Sequence, residues 1–434
     1  MLTLEQTNMM NEMSQEYPVA YGPLLEAGKL SAGIDYYKPT MSQLAHEDEP
    51  FAEVTFTFHN RGEQRLLDYI DPTRLQQRFI ELQDTGWSHD ELDYLKSLET
   101  TTQERVFTDD FIEYLRTTPL PTPEVTYDAE ADDIAIETTG PWALATFWET
   151  IVMSEVNEAY FERYLLKHGL NPLDIYDEGN RRLSEKIAIL QANPDIRVAE
   201  FGTRRHFSLR WQKHVVERLI NECPENIVGT SNVALANSLH LKPIGTFAHE
   251  MPMTYAGLAD ARGETVSNSH HMFLEKWYQR YGKDLSVALT DTFTTEFFFS
   301  DFTKEQADNW RGVRHDSGDP FDFGERLIAF YNEKGIDAKE KTVVFSDGLD
   351  IGQIVQLQNA FQGRINILFG WGTTLTNDLG IKALNVVMKA THVRDTTTNQ
   401  EADEVKLSDN IGKHTGPVDQ VERYKKIFNV INGS

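Results

Sequence analysis

Seven short runs rich in glycine, threonine, serine and charged residues recur from position 202 onward in this sequence, each placed after a short apolar or β-branched stretch. They read Gly202-Thr203-Arg204-Arg205, Gly229-Thr230-Ser231-Asn232, Gly245-Thr246-Phe247-Ala248-His249, Thr290-Asp291, His315-Asp316-Ser317-Gly318-Asp319, Ser346-Asp347-Gly348 and Gly370-Trp371-Gly372-Thr373. Glycine lets a backbone approach a ligand closely, and backbone N–H groups with threonine hydroxyls donate to phosphate oxygens. Arg204 and Arg205 precede a helical stripe of Trp211, Val215 and Leu219, so their guanidinium groups stand where helix amides also favour anions; this reads as a phosphate site. In Arg314-His315-Asp316-Ser317-Gly318-Asp319-Pro320, Arg314 can bind a carboxylate or phosphate while Asp316 accepts from a sugar diol or helps hold Mg2+. His249 follows one strand and Asp291 another, and a carboxylate that fixes one imidazole nitrogen leaves the other as nucleophile or base. Ordinary turns between strands and helices favour many of the same residue types, and the set of seven weighs more than any one loop. The His270-His271 pair reads as a solvated helix start without a role.

Several common signatures are absent. His249-Glu250 opens like a zinc-protease helix, but Met253 stands where the second histidine belongs and Pro252 disturbs the helix. Gly412-Lys413 is followed by His414 and lacks the earlier glycine of a phosphate loop, Leu375 replaces the third glycine of a dinucleotide fingerprint, and no Gly-x-Ser-x-Gly elbow occurs. Hydride transfer and ordinary hydrolase chemistry lose support.

The elements that must carry these residues follow from the apolar runs. Ile196–Phe201, Asn226–Val228, Pro243–Ile244, Ser286–Leu289, Gly312–Arg314, Thr342–Phe345, Ile365–Phe369 and Leu384–Met388 alternate with helical stretches, which predicts a parallel sheet of about eight strands closing into an α/β barrel. The loops after the strands then share one mouth. Before this region, Ala52, Val54, Phe56 and Phe58 alternate as a strand ending at His59-Asn60-Arg61-Gly62, helical spacing covers Leu66–Ile80 and Phe107–Leu115, and short strands lie near Glu124–Tyr127 and Asp133–Thr138. The turn Thr139-Gly140-Pro141 marks a boundary ahead of a long apolar helix from Trp142 to about Leu166. This divides the chain into residues 1–141 as an N-terminal α+β domain and residues 142–394 as the barrel.

Composition narrows the partners. The 434 residues carry 41 Lys and Arg against 68 Asp and Glu, a net charge of −27, which opposes nucleic acid and anionic membrane surfaces while allowing small anions in a locally basic pocket. Cys223 is the single cysteine, which excludes an internal disulfide and a zinc site of paired thiolates and suits a reducing cytoplasm. Met1–Tyr17 lacks the basic and apolar regions of a secretory signal, and no run of about 18 apolar residues suggests a membrane span.

Taken together, Glu200-Phe201-Gly202-Thr203-Arg204-Arg205-His206-Phe207-Ser208, Val228-Gly229-Thr230-Ser231-Asn232, Pro243-Ile244-Gly245-Thr246-Phe247-Ala248-His249-Glu250, Arg314-His315-Asp316-Ser317-Gly318-Asp319-Pro320, Val344-Phe345-Ser346-Asp347 and Lys406-Leu407-Ser408-Asp409 resemble the nicotinate phosphoribosyltransferase family in its bacterial-type form. Asp35-Tyr36-Tyr37-Lys38-Pro39-Thr40-Met41 is similar to that family's N-terminal tyrosine motif, and the resemblance runs in order over nearly the whole chain from about Asp35.

The resemblance implies the irregular α/β barrel of the type II phosphoribosyltransferases, an N-terminal domain completed by residues 395–434, and a head-to-tail homodimer in which each subunit lends its N-terminal tyrosine to the other's site. The implied reaction joins nicotinate and phosphoribosyl diphosphate into nicotinate mononucleotide and diphosphate, with Mg2+ and with ATP as co-substrate, at the entry of nicotinate into NAD synthesis. By the same resemblance His249 is the transiently phosphorylated histidine and Asp291 its orienting carboxylate. Tyr37, Phe201, Ser231, Thr246 and Arg314 hold nicotinate, and Arg204, Asp316, Asp347, Gly372 and Thr373 hold phosphoribosyl diphosphate. The resemblance points to no particular metal ligands. Ser231 stands where nicotinamide-specific relatives carry an acid, which would repel a carboxylate, so it favours nicotinate. Trp371, where a smaller residue is expected, would narrow the phosphate loop. The alternatives are a related transferase acting on nicotinamide or quinolinate and a non-catalytic nucleotide-binding relative.

Overall fold

A computed structural model describes residues 28–410 and 413–430. Met1–Tyr17, read for a signal, and Gly412 of the dismissed phosphate loop lie outside the described residues.

The alternation in the first strand is borne out. In β1 (Ala52–Asn60) every second side chain from Ala52 to Phe58 is buried, so one face of the strand seals a core. β1 lies between β3 (Asp133–Pro141) and a strand from far along the chain, β10 (Val386–Asp395), with β2 (Glu124–Asp128) and β11 (Gln400–Asp403) on the outer edges of this five-stranded antiparallel sheet. Two expectations change here. Thr139-Gly140-Pro141 is strand, paired with Thr55, Val54 and Glu53, because β1 offers a partner and Pro141 sits at the end, where its missing N–H costs least. The Leu384–Met388 run does not form an eighth barrel strand; it enters β10, whose buried Val386, Met388 and Ala390 alternate with half-buried Val387 and Lys389, the pattern of a sheet with one covered face.

The remaining strands form a parallel sheet, β4 (Val198–Glu200), β5 (Ile227–Thr230), β6 (Val287–Leu289), β7 (Gly312–His315), β8 (Thr342–Phe345) and β9 (Asn366–Trp371), in the order β5-β4-β9-β8-β7-β6. Its two edges are bridged by the stretch from Lys242 to Thr246. Ile244 N donates to Thr230 O at 2.9 Å on one side, and Thr246 Oγ1 donates to Val287 O at 3.0 Å on the other. Pro243–Ile244, expected as a full strand, contributes only an isolated bridge with Thr230. Proline lacks the ladder donor, and Gly245, at φ +152° and with Tyr37 Cβ 3.2 Å from where a side chain would begin, takes a backbone path few other residues could follow.

Four helices position the site: α1 (Tyr37–Asp48), α2 (Trp148–Lys167), α3 (Leu209–Glu222) and α4 (Glu250–Ala261). The single helix expected from Trp142 is two, Trp142–Ala145 and α2, because Phe147 N bonds back three residues to Leu144 O and tightens the turn. Ser208 caps α3 by accepting from Trp211 N at 3.1 Å. A contiguous core links both sheets, with Trp142, Trp148, Trp211 and Trp371 fully buried in it. Among the described residues no helix is long and apolar enough to cross a membrane.

Candidate active site

The barrel strands deliver their last residues to one end. His249 stands at the N-cap of α4, and its Nε2 lies 2.7 Å from Asp291 Oδ1 just beyond β6. Asp291 is fully buried; its second oxygen accepts from Ser317 Oγ at 2.6 Å, meets Lys406 Nζ at 3.1 Å and has Ser408 Oγ at 3.4 Å. Burial alone would raise this carboxyl, yet the His249 and Lys406 donors hold it well below the usual carboxylate range. Burial, reinforced by the Lys406 charge, moves His249 below its ordinary value against the pull of Asp291, so the imidazole is neutral near pH 7. His249 Nδ1 makes no hydrogen bond to a described residue. The ring is therefore held by one nitrogen and open at the other.

Asp316 follows β7. Its Oδ1 accepts from Ser346 Oγ at 2.8 Å, and its Oδ2 lies 3.7 Å from His249 Nε2 and 4.0 Å from Arg314 Nη2. Arg314 Nη1 donates to Phe247 O at 3.4 Å, while its buried Nε has no partner among the described residues. Its Nη2 makes no hydrogen bond to a described residue, and with Arg314 on the cavity wall that group suits an incoming anion. Asp347, after β8, pairs with Lys413 Nζ at 2.7 Å and 2.8 Å.

On the opposite wall Arg204 reaches Glu149 Oε1 at 3.1 Å and Asp35 Oδ2 at 3.4 Å, and its guanidinium lies 5.7 Å from the centre of the Tyr37 ring. The loop carrying it is fixed from behind. Asn157 of α2 donates to Arg204 O at 3.2 Å, Asn377 donates to Arg205 O at 2.8 Å, and buried Glu200 accepts from Gly202 N, from Gln212 Nε2 at 2.9 Å and from Thr230 Oγ1 at 2.5 Å. At Gly202 a side chain would start 2.1 Å from Thr376 Oγ1, so only glycine fits this close turn.

These walls enclose a cavity of about 430 Å³. It brings together Tyr37, Phe201, Arg204, His249, Arg314, Asp316, Asp347, Gly372 and Thr373 of the expected site. Asp291 stands one layer behind His249. Thr246 and Ser231 are not on the wall: Thr246 spends its hydroxyl on Val287 O, and Ser231, fully buried, donates to Asp35 Oδ1 at 2.6 Å. Ser231 thus reaches the ring tyrosine only through Asp35, whose other oxygen accepts from Tyr37 OH at 2.9 Å. Trp371 does not narrow the phosphate loop; it is buried and donates to Thr374 Oγ1 at 2.6 Å. His270 is no solvated residue either. It is buried among Phe293, Phe297 and Phe298, with Nδ1 2.6 Å from Asp301.

The tyrosine lining this cavity belongs to the same chain, where the resemblance implied a partner's. Its segment is stitched to the end of β5, with Tyr36 N donating to Ser231 O at 2.6 Å and Val233 N to Ile34 O at 3.0 Å.

Sequence reasoning missed Arg61, Lys389, Lys406 and Lys413 on the cavity wall. With Arg204, Arg205 and Arg314 they make seven cationic side chains facing four carboxylates, Glu149, Glu250, Asp316 and Asp347, so the cavity is positive inside an acidic protein. Lys389, on β10, is pushed down to about 7 by burial and by neighbouring Lys406 and Arg61. His249, Asp291 and Asp316 bring potential ligand atoms within 4.8 Å of one another. Asp291 is already saturated by His249, Ser317 and Lys406, however, and Mg2+ takes oxygen ligands, one or two carboxylates together with substrate phosphates. Asp316 and Asp347 stand on the wall itself and fit that description better, with Lys413, which holds both oxygens of Asp347, as the cation that Mg2+ would displace.

Residues 196–432 match the model of the nicotinate phosphoribosyltransferase (NAPRTase) family, and residues 33–157 match that of its N-terminal domain. The chain is 37% identical over 391 residues to nicotinate phosphoribosyltransferase of Chromobacterium violaceum, covering 87% of this chain and 91% of that protein. It is 37% identical over 386 residues to the protein of that name from Burkholderia mallei, with the same coverage of both chains. Its fold is similar to the crystal structure of nicotinate phosphoribosyltransferase from Porphyromonas gingivalis, with a TM-score of 0.83 at 28% identity over 93% of this chain and all of that one. The enzyme of the same name from Vibrio cholerae gives 0.82 at 29% identity over 96% of both chains.

Proposed function

Because the chain belongs to the nicotinate phosphoribosyltransferase family, we propose that it forms nicotinate mononucleotide and diphosphate from nicotinate and phosphoribosyl diphosphate, coupled to ATP hydrolysis through a phosphohistidine at His249. The observation that carries this reading is the His249–Asp291 pair, 2.7 Å apart, opening onto a cavity lined by seven cationic side chains and by the aromatic rings of Tyr37 and Phe201.

In the bond-forming step the pyridine nitrogen attacks the anomeric carbon of the ribose, and the bond from that carbon to the diphosphate oxygen breaks with its electrons leaving on diphosphate. The flat ring is aligned by Tyr37 and Phe201, and its carboxylate pairs with Arg314, whose Nη2 makes no hydrogen bond to a described residue. Arg204, with the backbone of Gly372 and Thr373, takes phosphate oxygens, and Asp316 and Asp347 would hold Mg2+ beside them. When bound, Mg2+ supplies positive charge to the departing diphosphate. Alignment of this kind can contribute several kcal/mol to the barrier.

In the coupling step the neutral His249 ring, donating Nε2–H to Asp291, attacks the γ-phosphorus of ATP through Nδ1, and ADP leaves. The anionic phosphoryl group then sits at the N-terminus of α4, where the helix dipole favours negative charge. Its later transfer to water releases phosphate and restores the ring. Ser231 supports nicotinate over nicotinamide by adding no second acid beside Asp35. A homodimer, proposed on the resemblance, would assemble without exchanging tyrosines, since Tyr37 serves its own chain's cavity.

The test is an assay with nicotinate, phosphoribosyl diphosphate and Mg2+, with and without ATP. Mononucleotide formation that ATP stimulates supports the reading; nicotinamide or quinolinate used in place of nicotinate overturns it.

A further inference from the structure

Lys38, directly after the ring tyrosine, is the most enclosed cation near the site. Its side chain has no exposed surface, and its ammonium meets Glu149, Glu250 Oε2 at 2.6 Å and Thr146 Oγ1 at 3.2 Å, three partners for three protons. Glu149 is the same carboxylate whose other oxygen faces Arg204. Burying a lysine this completely is costly unless the charge compensates something specific. The surroundings of Arg204 supply the reason. One guanidinium touches two acids, Asp35 and Glu149, and two acids against one cation would leave a net negative charge beside the phosphate loop. Lys38 answers Glu149 in that sum, while its other carboxylate, Glu250, is turned onto Trp142 Nε1 and does not contact Arg204.

We propose that Lys38 is a positioning residue for phosphoribosyl diphosphate: by neutralising Glu149 through its second oxygen it weakens that carboxylate's hold on Arg204, so that the guanidinium can turn to the substrate's phosphates. This rests on the proposed role of Arg204 in binding that substrate. The directions of titration agree with it. Burial would lower Lys38 and raise Glu149, yet the pair shifts the other way on both groups, so both stay charged. Glu250, whose burial raises it, also accepts from Trp142 Nε1 at 2.7 Å and anchors the lysine without facing Arg204.

The test is a double-mutant cycle on the KM for phosphoribosyl diphosphate, with Lys38→Met, Glu149→Gln and the two combined, and with thermal melting to follow folding. Lys38→Met should raise that KM by about tenfold or more, the effect of one uncompensated charge a few ångströms from a polyanion at intermediate dielectric. Adding Glu149→Gln should bring it back to within about threefold of the wild type, since the charge that Lys38 answered is then gone. A KM that stays high in the double variant, or that Glu149→Gln alone raises as much as Lys38→Met does, overturns the proposal, because the KM then does not follow the charge on Glu149; a merely structural lysine would show its loss and rescue in the melting temperature and leave the KM unmoved. Should Lys38→Met not fold, the double variant and Glu149→Gln carry the same comparison. Arg204→Ala separates the two readings. If its KM for phosphoribosyl diphosphate is unchanged, the role given to Arg204 falls; if it rises while the charge rescue fails, only the role of Lys38 falls.

Discussion

Asp291→Asn isolates what the buried carboxylate does, since the amide keeps the volume and changes the charge and donor pattern. Asp291 now accepts from His249 Nε2 at 2.7 Å and from Ser317 at 2.6 Å, and balances Lys406 at 3.1 Å. One charge-assisted hydrogen bond is worth about 1.5–3 kcal/mol, which at about 1.4 kcal/mol per decade is roughly 10- to 150-fold. An asparagine that turns its amide toward His249 also favours the tautomer with the proton on Nδ1, removing the lone pair that attacks phosphorus. The corresponding tautomer error in a serine-protease triad costs on the order of 10⁴. Phosphorylation of His249 should therefore slow by at least about 10², read in a single turnover as acid-labile phosphate on the protein from γ-labelled ATP. The mononucleotide formed without ATP should fall far less, because Asp291 does not line the cavity. Wild-type phosphorylation in Asp291→Asn would refute the assignment of Asp291 as the orienting group.

Further expectations come from the same geometry. His249→Ala should abolish acid-labile phosphate and the ATP effect while leaving a slow uncoupled reaction; full ATP stimulation in that variant would remove the phosphohistidine. Arg314→Ala should raise the KM for nicotinate by about 30-fold or more, as for loss of a charge-assisted pair, with a smaller effect on phosphoribosyl diphosphate, which side-by-side KM values decide. Because Lys389 is held at about 7, its cation is present below that pH and lost above it, so the KM for phosphoribosyl diphosphate should rise between pH 6 and 8.5 and flatten in Lys389→Arg. His249 is shifted below its ordinary value, so the neutral, nucleophilic ring persists to lower pH than a free imidazole would, and the acid limb of phosphorylation should lie below the ordinary imidazole range. Ser231→Asp would set a second carboxylate against Asp35, now 2.6 Å from the Ser231 hydroxyl, and should cut kcat/KM for nicotinate by about tenfold or more, measured with nicotinamide alongside.

Strand-end residues were legible because a parallel barrel forces them onto one mouth, whatever the details of packing. Arg204, His249, Asp316 and Asp347 follow runs short and apolar enough to be strands, Arg314 ends one, and all line the cavity. Lys389 was hidden by the same logic. It follows an apolar run that looked like one more barrel strand, whereas β10 crosses to the antiparallel sheet beside β1, and nothing local in Leu384–Met388 specifies a partner some 330 positions earlier. The signal was Lys389 itself, a cation in the alternating phase of a half-buried strand. Ser231 illustrates the opposite error. Its position at a strand end was right, but the direction of its hydroxyl depends on Asp35, nearly two hundred residues away, so proximity to the mouth did not mean exposure to it.

The charge balance acquires a physical meaning at the cavity. A chain with a net charge of −27 repels nicotinate, phosphoribosyl diphosphate and ATP alike, yet at physiological ionic strength exposed charges are screened beyond about 8 Å. The cationic side chains of the cavity are enclosed by barrel and sheet, where screening by mobile ions is weaker and low-dielectric walls focus the field. An anion therefore meets a weak repulsion outside and a strong attraction only within reach of the mouth. Long polyanions cannot use that attraction, because a duplex or a membrane surface cannot enter a space of about 430 Å³, whereas a small phosphorylated sugar can. Placing acids outside and cations inside thus selects small anionic ligands by shape as well as by charge, which neither the net charge nor the basic residues could do alone.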